Sequence, residues 1–352
     1  MKKLLSIILC AIMLIATASP SFANEPINDN VNVGLEAYAN EVIAEYIPIS
    51  METIDEADTF FLTQGYRVIN NPDPNSRTFF LFRNGKCEGE LTASYVNGKY
   101  ASSFAPHEIP EITEVYESNE PFALIAENNS LILFTAHSSA VISGINTEST
   151  TDYKDITAEY QRIALSDGFN VEARDEALIV DDIHLDGLKY VRQENSPSGK
   201  GLCWAACSSS LGQYHSKGEL YTALQIYNYL CDHYGTTGSH GEPAGNVYWK
   251  KEAVLIYDYY ASSKNSGLTF SQVGTQLRAD NPVMAGIYSA AGDGHTVVIC
   301  GYKCNVSGEY FYELMDPNKS YRVYTESLSI TATNFTYTAT YNTFVRWDNA
   351  IW

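Results

Sequence analysis

Cys203, His295, Gln193 and the pair Asp316 and Asn318 are the residues of this chain whose types and settings suit chemistry. Cys203 stands in Gly201-Leu202-Cys203-Trp204-Ala205-Ala206-Cys207, behind the loop Ser198-Gly199-Lys200-Gly201, and opens an apolar run that predicts a helix. The thiolate is the nucleophilic form of cysteine, and unpaired N–H groups at a helix start favour negative charge there. Gln193 ends the strand-like Leu188-Lys189-Tyr190-Val191-Arg192, ten residues upstream. Its amide is placed to donate to an oxyanion together with the Cys203 backbone N–H. The structural alternative is a core cysteine or half of a disulfide.

A second stretch supplies a base. Pro282-Val283-Met284-Ala285-Gly286-Ile287-Tyr288 predicts a buried strand, and Gly292-Asp293-Gly294 then leads to His295 at the head of Thr296-Val297-Val298-Ile299-Cys300-Gly301-Tyr302. An apolar strand holds an imidazole rigidly. His240, in Gly238-Ser239-His240-Gly241, is the rival base and lacks such a strand. The strand Phe311-Tyr312-Glu313-Leu314-Met315 runs into Asp316-Pro317-Asn318, which offers two groups able to orient the imidazole. Side chains two apart share a strand face, but Pro317 breaks the regularity, so direction does not choose between them.

Gln, then Cys-Trp, then Gly-His before an apolar strand ending Gly-Tyr, then Asp or Asn before Pro, is an order that resembles the papain-like cysteine peptidases. The likeness covers roughly residues 188 to 320 and is nearest to a secreted bacterial branch, staphopain-like or close to the bacteriocin-leader peptidases. It implies that Cys203 is the nucleophile, His295 the base, Gln193 an oxyanion donor and Asp316, immediately before Pro, the orienting residue. It also implies protein or peptide substrates, with no cofactor and no metal. The spacing from Gln193 to Cys203 is longer than is usual in that family. No Trp follows Asp316-Pro317, so the aromatic cover of the His–Asp pair is not identifiable here.

Other constellations compete. Cys203-x3-Cys207 and Cys300-x3-Cys304 have spacings seen at structural zinc sites, yet one pair lies on a predicted helix and Cys300 lies in an apolar strand. Histidines 107, 137 and 184 read as surface or sheet residues, and His215 and His233 as helix-end cations. Related Cys–His chemistry would also suit a cell-wall peptide amidase or a transglutaminase. A non-catalytic surface binding module is the third class, against which the complete Cys–His pair argues.

Lys2-Lys3, an apolar run over 4–16 and Ser21-Phe22-Ala23 read as a signal peptide over 1–23, which predicts a secreted protein and no membrane span. The formal net charge of −20 argues against nucleic acid and anionic membranes as partners. Seven cysteines become six after export, and with Cys203 reduced the remaining five cannot all pair. One or two bridges at most are expected.

The length suggests about two domains, over 24–187 and 188–352. In the first, a helical pattern (Leu35, Ala39, Val42, Ile43, Tyr46) is followed by alternating strands around Asn84-Gly85 and Asn97-Gly98, the dipeptides of two-residue hairpin turns. A further hairpin is expected around Asn128-Asn129, a polar linker over 147–152 and a short helix over 156–165. This small antiparallel β module is similar to the propeptide sheets of secreted papain-like enzymes, so it is expected to be a zymogen pro-domain that inhibits, or an accessory domain that stays. In the second domain, helices are expected over 203–214, 219–234, 249–262 and from Thr269, and strands over 283–288, 295–302, 309–315, 320–325 and 343–348. Helices followed by an antiparallel sheet predict an α+β, two-lobed papain-like fold with its cleft between the lobes.

Overall fold

The computed structural model describes residues 29–51, 53–55, 57–127, 130–144, 161–163, 168–171, 179–236, 241–305, 309–319, 321–327, 331–339 and 342–352. The expected signal peptide, the Asn128-Asn129 turn, the polar linker and His240 lie outside them. Of the helix expected over 156–165, residues 161–163 are described and are not helical; Gln161 exchanges backbone hydrogen bonds with Phe122 instead.

Helix α1 (Asp29–Ser50) comes first and buries Leu35, Ala39, Val42, Ile43 and Tyr46, a face at helical spacing. Then follow β1 (Phe60–Leu62), β2 (Val68–Ile69), β3 (Ser76–Arg83), β4 (Lys86–Val96), β5 (Lys99–Pro106), α2 (Pro110–Ser118), β6 (Phe122–Glu127), β7 (Ser130–Thr135), β8 (Ser139–Ser143) and β9 (Phe169–Val171). Both residues of Asn84-Gly85 and of Asn97-Gly98 take positive φ (50°, 84°, 52° and 80°). That is why two residues suffice to reverse the chain there.

β10 (Ile179–His184) closes the first half, and the second comprises α3 (Cys203–Ser216), α4 (Ala223–Tyr234), α5 (Val247–Leu255), β11 (Ser263–Lys264), α6 (Phe270–Arg278), β12 (Val283–Ser289), β13 (Gly294–Asn305), β14 (Tyr310–Met315), β15 (Arg322–Ser327), β16 (Tyr337–Ala339) and β17 (Asn342–Ile351). Two helices differ from expectation. α4 begins at Ala223 because Thr222 and Gln225 form a capping box, and α5 is shorter, capped by Asn246 and followed by Asp258 at φ 56°. Residues 188–192 join no strand. They are held by tertiary bonds instead, among them Gln193 N–H to the Pro317 carbonyl at 2.9 Å.

The larger difference is in the sheets. Strands β1, β3, β4, β5 and β9 of the N-terminal half do not stand apart in a sheet of their own. One thirteen-stranded sheet runs β11-β17-β12-β13-β14-β15-β5-β4-β3-β1-β9, with β10 on β13 and β16 on β17. The join is β5 to β15, where Phe104 faces Tyr324 and Ser103 faces Thr325. Each strand would otherwise present unpaired N–H and C=O groups at an edge, and pairing removes both edges. A second sheet, β2-β6-β7-β8, lies within the N-terminal half.

α3 is the central helix of the second half. One face packs with α4 and α5 through Trp204, Ala205, Ile226, Leu230 and Trp249. The other, through Cys207 and Leu211, packs on Met284, Val298, Cys300 and Ile351 of the sheet. Helix against sheet thus puts the start of α3 beside the head of β13. Among the described residues no helix is long and apolar enough to cross a membrane.

Candidate active site

Cys203 is the first residue of α3 and is partly exposed. No side chain caps this helix start, so its leading N–H groups are those that ordinarily lack an intrahelical partner. β13 enters from the β12–β13 hairpin, where Ile287 faces His295. This brings the His295 imidazole to the Cys203 sulfur as a hydrogen-bond partner, and the Thr296 hydroxyl reaches the same sulfur. The other imidazole nitrogen, His295 Nε2, lies 2.8 Å from Asp316 Oδ1, with His295 5% and Asp316 0% exposed.

The carboxylate is held on every side. Oδ1 also accepts the Asn318 backbone N–H at 2.8 Å, Oδ2 accepts the Tyr337 hydroxyl at 2.7 Å, and the Asp316 carbonyl accepts from the Tyr190 hydroxyl. Asn318 therefore meets the site through its backbone, while Asp316 meets the imidazole. Phe344 of β17 stacks on His295 with centroids 5.3 Å apart. Phe344 thus covers one face of the imidazole.

Gln193 reaches this site through a loop that folds back. Leu202 N–H donates to the Glu194 carbonyl at 2.8 Å, Ser196 N–H to the Lys200 carbonyl at 2.8 Å, and Gly199 turns with φ 80°. The ten-residue interval is thereby closed, and the buried Gln193 amide lies against Gly201. A methyl group on Gly201 would come within 2.6 Å of Gln193 Nε2. Among the described residues Gln193 Oε1 is buried without a hydrogen-bond partner.

The electrostatics favour a thiolate–imidazolium pair. Burial pushes the Cys203 thiol up, but the hydrogen bond and charge of His295, with Lys250 behind, outweigh it and hold the thiol below its ordinary value. Burial likewise opposes the charge on His295. The Asp316 carboxylate and Cys203 outweigh it and raise the imidazolium to about 10. Asp316 is pushed up by burial and brought below the usual carboxylate value by His295 and its hydrogen bonds. The neighbouring thiols differ. Burial raises Cys207 well above its ordinary value and Cys300 to about 12.

Sequence reading had no signal for Tyr337, Phe344, Thr296 or Lys250. Lys250 of α5 is 1% exposed, donates to Asn349 Oδ1 at 2.8 Å, and sits over Gly286, which faces Thr296 across β12 and β13. The six described cysteines are all free, and Cys207 Sγ donates to the Thr296 carbonyl at 3.2 Å. Among the described residues no group of three or more His, Cys, Asp or Glu side chains is arranged to hold a metal ion.

Residues 186–345, somewhat less than half of the chain, match the model of the Peptidase_C39 like family. Among solved structures, a Bacillus anthracis protein described as a candidate C39-like peptidase is similar over 42% of this chain and 99% of its own, at 13% identity and a TM-score of 0.27. A likeness at that score says nothing further about the fold. No curated protein matches the chain. The second half of the chain is thus similar to cysteine peptidases.

Proposed function

We propose that the protein is an exported, papain-like cysteine endopeptidase that hydrolyses peptide bonds through Cys203, His295 and Asp316, with Gln193 at the oxyanion. The observation that supports it most is the chain of contacts from Cys203 through His295 to Asp316, with the Gln193 amide beside Gly201. The Cys203 thiolate attacks the scissile carbonyl carbon, and the oxyanion is held by the Cys203 N–H and the Gln193 amide. His295 gives its proton to the leaving amine, so the C–N bond breaks to an acyl-enzyme and a free amine. Water, deprotonated by neutral His295, then displaces the sulfur as thiolate, which releases the acid and restores the thiolate–imidazolium pair. Asp316 keeps the imidazole in position and stabilises its charged form. Export rests on Lys2-Lys3, the apolar run and Ser21-Phe22-Ala23.

The full chain should hydrolyse casein, and Cys203→Ala should abolish the hydrolysis. Cleavage of a peptidoglycan stem peptide with casein untouched would move the reading to a cell-wall amidase. Neither activity, from a folded and reduced protein, would leave a binding module.

A further inference from the structure

The N-terminal strands meet the catalytic sheet at the two segments that support Asp316. Lys319 Nζ lies 3.3 Å from both carboxylate oxygens of Glu90 on β4, with the lysine 4% and the glutamate 2% exposed. The same ammonium donates to Ser143 Oγ on β8. The Tyr321 hydroxyl reaches Ser143 Oγ at 2.6 Å and Glu90 Oε2 at 3.2 Å, and its ring stacks on His107 with centroids 3.7 Å apart. Lys319 is in turn tied to Asp316, whose carbonyl accepts the Lys319 N–H at 2.9 Å. The turn that aims the carboxylate at His295 is therefore gripped from the N-terminal half.

The second support is gripped in the same way. Thr338 Oγ1 lies 3.0 Å from Ser94 Oγ, and the Thr338 carbonyl accepts from Ser103 Oγ. Thr338 follows Tyr337, the donor to Asp316 Oδ2. Phe311 and Tyr324 of the catalytic sheet also pack in one core with Leu35, Ile43 and Phe104 of the N-terminal half. β10 adds a run of pairs to β13 from Ile179 with Asn305 to His184 with Gly301. A pro-domain that inhibits and then leaves would open that core and strand Lys319 without its counter-ion. A buried charge without its partner is strongly unfavourable.

We propose that the N-terminal half is a permanent part of the active site, in which Glu90 positions the Asp316 turn through Lys319, and Ser94 and Ser103 position Tyr337 through Thr338. This rests on the Cys203–His295–Asp316 reading and departs from the expectation of a removable pro-domain. Glu90, Ser94 and Ser103 are positioning residues: they touch neither the nucleophile nor the base, and act on how well the imidazolium is held.

The test uses the full chain and a readout that needs no substrate. Alkylation of Cys203 by iodoacetamide, followed by mass spectrometry of its peptide, reports the thiolate as pH varies. In Glu90→Ala, shown folded by circular dichroism, the rate at about pH 6 should fall on the order of tenfold and converge on wild type at alkaline pH, once the Cys203 thiol is ionised in both proteins. Glu90→Gln, which keeps the shape and an acceptor, should lie between. Ser103→Ala removes one hydroxyl and serves if Glu90→Ala does not fold. Folded variants whose profiles superimpose on wild type would overturn the positioning role, because a merely structural residue leaves the shape of that profile alone.

Permanence is tested by inserting a specific protease site between Asp186 and Gly187, a turn with an exposed aspartate and φ 83° at the glycine. After cutting, the two pieces should co-elute on size exclusion and keep the wild-type alkylation profile. A C-terminal piece that elutes alone with that profile intact overturns the proposal. If casein survives while Cys203 keeps its low-pH reactivity, the peptidase reading fails and the positioning of the pair still stands to be judged on the variants.

Discussion

Tyr337 donates its hydroxyl to Asp316 Oδ2 at 2.7 Å, while His295 Nε2 meets Oδ1 at 2.8 Å, so the two oxygens of one buried carboxylate have separate tasks. One holds the imidazole; the other is fixed to β16, a strand that the N-terminal half anchors. A carboxylate fixed at both ends cannot rotate away from His295 when the imidazolium gives up its proton.

Asp316→Ala should cost ten- to a thousand-fold in kcat/KM, roughly 1.4–4 kcal/mol of transition-state stabilisation. Asn318→Ala keeps the backbone N–H that donates to Oδ1 and should stay within a few-fold. Asp316→Asn should retain activity with a lower upper pH limit, since the imidazolium loses its charged partner. Tyr337→Phe should shift that limit the same way by less, and destabilise the fold by about 1–3 kcal/mol through the lost buried hydrogen bond. Steady-state kinetics across pH, with thermal unfolding of each variant, checks all four. A greater loss in Asn318→Ala than in Asp316→Ala would reverse the assignment.

The oxyanion arrangement gives a second expectation. Gly201 has no positive φ to protect, so Gly201→Ala acts through its methyl group alone, 2.6 Å from Gln193 Nε2. Gln193 is 4% exposed and has little room to yield. Gly201→Ala should lower kcat on the order of ten- to a hundred-fold with KM changed little, the pattern of a donor used in the transition state. Gln193→Ala should do the same, and the double variant should lose little more. Fully multiplicative losses would mean that Gly201 and Gln193 act independently.

The differing thiols predict selective labelling. Cys203 is partly exposed with its thiol held low, whereas Cys207 and Cys300 are buried with theirs raised. An epoxysuccinyl peptide at neutral pH should modify Cys203 alone, read by peptide mapping. Modification of Cys207 with Cys203 intact would remove Cys203 from the nucleophile's place.

Much of the site is local in sequence. A cysteine behind a glycine loop, a histidine at the head of an apolar strand and an acid before proline each have near neighbours that mark them. Tyr337, Phe344 and Lys250 carry no such marks. They arrive through the register of β16 and β17 and through the packing of α5 on α3, which depend on strand order rather than on flanking residues. The same holds for the fold: Asn-Gly turns are written in two residues, but the pairing of β5 with β15 joins residues more than two hundred positions apart. Two strand edges that would suit solvent-facing sheets equally well suit each other.

Lys250 gives the last expectation, and its sign separates activity from stability. Burial lowers its ammonium to about 8, while the Cys203 and Cys207 thiols on α3 work the other way. Its hydrogen bond is to Asn349 on β17, and it lies over Gly286 on β12; Cys203 in turn faces His295 and Thr296 on β13. A buried cation here favours the Cys203 thiolate, so Lys250→Met should move the acid limb of kcat/KM, and of Cys203 alkylation, to higher pH by up to about one unit. Stability runs in the opposite sense. The folded value, about 8, lies below the unfolded 10.5, so the folded state gives up its proton first. The cost of burying the charge is fully present below about 8 and is relieved as pH rises to 10.5. Across that window wild type should gain on the order of 3 kcal/mol relative to Lys250→Met. Urea unfolding of both proteins at several pH values measures the difference. An unchanged acid limb together with a pH-independent stability difference would mean that Lys250 titrates in the folded state as it does in the unfolded one and takes no part in poising the thiolate.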